Sequence, residues 1–243
     1  MAITFVAQTN AEAGAAKSIG ATIPVGTALN DFMVAFLIAG SGDGEEAWDD
    51  DGGGSNGWTQ LVNNFEATGR DTEGAIYYKK AGSSEPDPTF TIITGTGTKN
   101  LGVAIQTFRG VDTTTPFDVV YSNVGHYHHE ENDNSPTPDA ITTATDAAWV
   151  VLLLGGTHEW SSGSPPTNYT QRVTLEANNR NIYAATREIA TAGTETPNSW
   201  AGATTVAESQ SYTLALRPAS AVGHAGMPIN NYPLKNKFQV LVS

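Results

Sequence analysis

Hydrophobic residues in this chain fall into short runs separated by glycine-, proline- and acid-bearing breaks. Residues 32–39 and 149–154 are continuously apolar. A short unbroken run between breakers fits a strand covered on both faces. A buried helix shares that pattern, but the shortness of the runs and their flanking glycines favour strands. Residues 18–25 alternate instead, with Ile19, Ala21, Ile23 and Val25 on one side, and predict a half-buried strand. Residues 3–7 predict an opening strand, and 58–65, 75–81, 89–93 and 101–108 predict four more with turn chemistry between them. Further on, 169–175 alternates cleanly, as do Tyr212, Leu214 and Leu216 near the end of the second half.

The same series of signals occurs twice. The run 31–40 recurs as 147–156, each followed by a polar loop rich in glycine and serine. Gly57-Trp58-Thr59-Gln60-Leu61-Val62 is matched by Asn168-Tyr169-Thr170-Gln171-Arg172-Val173. A tyrosine-containing strand, a Gly–acid–Pro break and an alternating strand ending in Arg109 or Arg217 complete each copy. Two long units are too few for a solenoid. The expected fold is therefore all-β: a jelly-roll-like antiparallel β-sandwich over residues 1–218, built from pseudo-repeats at about 17–110 and 139–217. Residues 219–243 change composition and form a C-terminal arm.

Charge narrows the partners. The formal net charge is −13, so nucleic acid and anionic membranes are expected to be repelled. The first ten residues lack a basic start and a long apolar centre, and no apolar run approaches a membrane span; a soluble protein is expected. With no cysteine, neither disulfides nor thiolate metal sites contribute, which is compatible with folding in a reducing cytoplasm.

Candidate chemistry is sparse. The loop 41–56 gathers six carboxylates, and Asp49, Asp50 and Asp51 are its candidate Ca²⁺ ligands. Their spacing is not that of an EF-hand, and a solvated loop is the alternative. Trp48 would either stack on a sugar ring or pack on the base of its own loop. His126 and His128, beside Glu130 and Glu131, offer imidazole and carboxylate to a transition metal or, equally, to a subunit contact. No His-Glu-x-x-His helix or Walker loop is present. A Gly-rich acidic loop is also a poor setting for a recessed general acid. No catalytic residues and no required cofactor are expected. In the arm, Phe238, Val240 and Val242 alternate with polar or opposite-facing residues and follow Tyr232 and Leu234. An apolar strand on a linker needs a cover: strand addition to a neighbouring subunit's edge or groove supplies one, and packing on its own domain is the alternative.

With both copies placed, the chain resembles a β-sandwich domain found in tailed-phage structural proteins and some bacterial surface proteins. The resemblance rests on Asp31 and its apolar strand, Gly57-Trp58-Thr59 and the strand through Tyr78. It continues with Ala81-Gly82-Ser83-Ser84-Glu85-Pro86, then Phe108-Arg109-Gly110-Val111-Asp112 with Pro116-Phe117-Asp118-Val119, and closes on Leu214-Ala215-Leu216-Arg217-Pro218. The acidic loop, the His126 segment and the arm lie outside the pattern. The resemblance implies a non-enzymatic virion protein, and the compact acidic body with an arm points to a capsid decoration (cement) protein on the outer surface of the head. The major capsid protein is then its partner, a homotrimer its expected assembly, and the host cytoplasm its place of synthesis. The alternative is a tail or baseplate part, or a carbohydrate-binding receptor adhesin using Trp48, Trp160 and the acidic loop.

Overall fold

Each continuous apolar run becomes the central strand of a five-stranded sheet. The computed structural model describes residues 1–40, 48–49, 57–64, 72–93, 98–119, 125–129, 135–157, 163–177, 180–202 and 208–220. Among these residues there are strands and no helix. In chain order the strands are β1 (Thr4–Ala16), β2 (Ser18–Gly20), β3 (Phe32–Gly40), β4 (Thr59–Asn64), β5 (Thr72–Lys80), β6 (Thr89–Thr91) and β7 (Lys99–Arg109). They continue with β8 (Gly125–His129), β9 (Ile141–Thr142), β10 (Ala148–Thr157), β11 (Thr170–Ala177), β12 (Arg180–Ile189), β13 (Thr194–Glu195) and β14 (Glu208–Leu216). Every pairing is antiparallel.

One sheet runs β1-β7-β3-β5-β4 and the other β8-β14-β10-β12-β11. Each strand of the second sheet follows its counterpart in the first by seven places in the chain, and the small pairs β2-β6 and β9-β13 obey the same rule. Local detail repeats as well. Gly57 and Asn168 precede β4 and β11 with φ of 68° and 70°, a region that glycine and asparagine tolerate. The register then slips between Gln60 and Val62, and again between Gln171 and Val173. Thr-Gln-x-Val thus builds one bulged edge strand twice.

Strand pairing also fixes a correspondence that the apolar runs alone left one residue out. Phe36 lies opposite Ile76 and Ala104, as Leu153 lies opposite Ala184 and Tyr212. Phe32 therefore matches Trp149, and Asp31 matches Ala148 instead of Ala147. A run of apolar residues slides along another without penalty, whereas hydrogen-bonded neighbours do not.

Period-two alternation explains why β3 and β10 are apolar throughout. Phe32, Val34, Phe36 and Ile38 enter a cluster shared with Val151, Leu153, Leu214 and Leu216 of the other sheet. Met33, Ala35, Leu37 and Ala39 enter a second cluster on the far face, under Ile19, Phe90, Trp48 and Trp58. Val150, Leu152 and Leu154 face a third, closed by Ile141, Tyr169 and Trp200. Full burial of each such side chain contributes about 1.5–3 kcal/mol.

Two expectations about elements are corrected. The strand over 18–25 stops at Gly20, because Pro24 and Gly26 turn the chain, the Pro24 carbonyl accepting from the Thr27 N–H; Val25 is 88% exposed. The segment holding His126 and His128 is an edge strand, β8, whose residues pair in register with β14.

Candidate functional site

The residues behind the sequence resemblance converge on the end of the molecule where β3 begins and β7 and β14 finish. Arg109 closes β7 and donates from Nε and Nη2 to the two carboxylate oxygens of Asp31, at 2.8 and 2.7 Å. Asp31 is buried, also accepts the Ala28 N–H, and raises the Arg109 pKa through that hydrogen bond and its charge. Gly110 then turns with φ of 84°, its Cα so near the Ala2 carbonyl that a Cβ would lie 2.3 Å from the oxygen. Asp112 accepts the N–H groups of Thr114 and Thr115. Those two bonds hold its carboxyl below the usual range.

The chain next crosses to the second sheet. Val111 and Phe117 bridge to Pro218 and Leu216, and Phe117 packs edge-on against Phe32 and Tyr78. Asp118 is buried; its carboxylate accepts from Ala144 N and Thr145 N and, at 3.4 Å, from Arg217 Nε. Each terminal arginine thus has an aspartate, but from different places: Asp31 precedes β3, whereas Asp118 comes from the crossing segment. Asp31, Arg109, Gly110, Val111 and Asp112 line a cleft of about 430 Å³ together with Ala219 and Ser220. It is where the chain leaves the two sheets toward the arm.

At the opposite end the sheets are tied by buried polar groups. Arg180 opens β12 and donates to the Asn100 and Gly40 carbonyls of the other sheet. Burial lowers its pKa to about 10 against the opposing pull of Glu73. Gln210 donates across to the Thr72 carbonyl, and the Tyr212 hydroxyl donates to the Gln210 side-chain oxygen. Tyr169 and Tyr183 have their pKa raised, first by burial and then by Glu195 and Glu176, so at neutral pH their hydroxyls are donors. These groups span the gap between sheets or brace the outer layers, and their polar atoms are engaged in doing so.

The sequence-derived candidates divide as follows. Trp48 is wholly buried and bridges to Ile92, so it forms the base of its loop and offers no ring to a sugar. The backbone of Asp49 is held in place: its N–H donates to Thr91 O, and its carbonyl accepts from Tyr77 OH and Gln60 Nε2. Asp50, Asp51 and Trp160 lie outside the described residues, as do Tyr232, Leu234, Phe238, Val240 and Val242. His126 and His128 pair through their backbones with Tyr212 and Gln210. Sequence reasoning did not single out Arg180, and it placed Asp118 in the resemblance without a partner. The recurrence of arginine at the end of each copy was the available signal for Asp118, since both arginines needed a carboxylate.

Against known proteins the chain stands without a match: no family model, no curated protein and no solved structure is similar to it.

Proposed function

We propose that this chain is a non-enzymatic structural protein of a tailed-phage virion, a decoration protein bound to the outer surface of the capsid. The reading starts from the sequence resemblance. What carries it is the use made of the residues behind that resemblance: Asp31 and Arg109 close the end of one sheet, Asp112 fixes the turn that follows, and Phe117 and Asp118 join it to Leu216 and Arg217 of the other. A body held in this way supplies stiffness and surface. Attachment falls to the arm, with Tyr232, Leu234, Phe238, Val240 and Val242 as subunit or capsid contact residues and His126 and His128 on the edge strand β8 as further ones. The major capsid protein is the partner, and a homotrimer suits the local three-fold positions of an icosahedral shell. Many weak copies acting together then reinforce the shell through their summed binding.

In this reading the fold is a sandwich of two pseudo-repeats, each supplying one sheet. A jelly roll distributes its strands differently, passing the chain back and forth between sheets. Each of the two five-stranded sheets draws its strands from one stretch, residues 4–109 or 125–216, which favours the sandwich form.

Gold labelling of purified virions with an antibody to this chain tests the placement. Label distributed over the head is expected. Label confined to the tail would replace decoration by a tail or baseplate role.

A further inference from the structure

The longest sheet edge among the described residues is β1. It lies at the end of its sheet and pairs with β7 on one side. From Ala7 to Ala13 its register is unbroken, and none of its residues is fully buried. Its sequence has no proline, lysine or arginine, and Glu12 is its single charge. Those are the residues by which an edge strand is ordinarily kept from pairing with another chain. Its own register shifts, between Phe5 and Ala7 and between Ala13 and Ala16, lie outside that run, whereas β4 and β11 are bulged within their shorter lengths and β8 is only five residues long.

Charge and reach indicate what would pair there. Residues 221–243 contain Lys235 and Lys237 and no acidic residue, so with a total of −13 the preceding 220 residues carry −13 − 2 = −15. A basic segment is drawn to that body, its own or a neighbour's. Ser220 lies in the cleft beside Gly110, which touches Ala2 at the approach to β1. From Ser220 to Phe238 the chain has 238 − 220 = 18 residues. At roughly 3.3 Å each they span up to about 60 Å, more than the length of β1. The segment that follows, Phe238-Gln239-Val240-Leu241-Val242, alternates as a strand does.

We infer that the edge of β1 receives residues 238–242 from a neighbouring copy, which extend the five-stranded sheet by one strand. Backbone hydrogen bonds supply the attraction, while Phe238, Val240 and Val242 set the face presented. This inference rests on the decoration-protein reading and specifies where an arm is received.

The absence of cysteine makes cross-linking a clean test. Full-length chains carrying Gln239→Cys together with Gln8→Cys, Asn10→Cys or Glu12→Cys are oxidised mildly and run without reductant. Covalent multimers in at least one of the three double variants, and in none of the single ones, are expected. Three results would overturn the inference: no multimers in any pair, a link closed within one chain, or the same multimers from Gln239→Cys alone. Full-length Val240→Asp, tested for binding to phage particles, separates this from the reading beneath it. Lost binding together with failed cross-linking places the arm on another surface and overturns only the β1 assignment. Retained binding overturns the arm as anchor, whatever the cross-links show.

Discussion

Gln106 sits in β7 opposite Val34, inside the apolar cluster between the sheets, and is wholly buried. Neither atom of its amide has a partner among the described residues, and the position seven strands on is Leu214, a core residue. An unsatisfied buried polar group costs about 1–3 kcal/mol, and an apolar side chain of similar volume removes that cost. Gln106→Met is therefore expected to raise the midpoint of urea unfolding with an unchanged slope; a lowered midpoint would show that the amide has a partner. Arg180 is the opposite case, a buried charge whose donors are used on Gly40 and Asn100. No sequence signal marked it, because its partners lie 80 and 140 positions away. Trp48 was ambiguous for a related reason: an aromatic in a polar loop reads alike whether it faces solvent or its own sheet.

At the scale of elements, the two sheets meet through complementary shapes. A Cβ on Gly155 would fall 2.2 Å from the Ile38 side chain, and Ile38 is the residue of β3 that corresponds to Gly155 of β10. The same exchange of large and small recurs beside them. Gly74 lies under Gln210 and Tyr212, while Ile182, its counterpart, lies over Gly102, the counterpart of Gln210. Identical halves would clash or leave voids at these points; large side chains face small ones instead. Gly155→Ala is expected to cost about 1–3 kcal/mol by overpacking. In the double variant Ile38→Ala/Gly155→Ala part of that loss should be recovered, and thermal melting that showed simple additivity of the single effects would argue against direct packing. Strands β3 and β10 were legible in the sequence as short unbroken apolar runs between breakers, and β11 and β14 by their alternation. The segment 125–129 was not, since its edge pairing is made by the backbone and leaves no apolar pattern. The strand expected at 18–25 was cut short by Pro24 and Gly26, whose turn overrode the alternation.

For the whole molecule, the all-β class followed from short runs and frequent breakers. The crossing of residues 110–119 to the second sheet, which completes the Arg217–Asp118 pair, depends on contacts between distant segments that no local pattern carries. The proposed function draws on the resemblance and on the contrast in charge between an acidic body and a basic arm. The account stands or falls on that arm as the point of attachment. Its most direct test is co-sedimentation with phage particles of the full chain and of a chain ending at Ser220, both first shown to melt alike. The full chain should pellet with the particles and the shortened one should stay in solution; equal pelleting of the two would contradict the account.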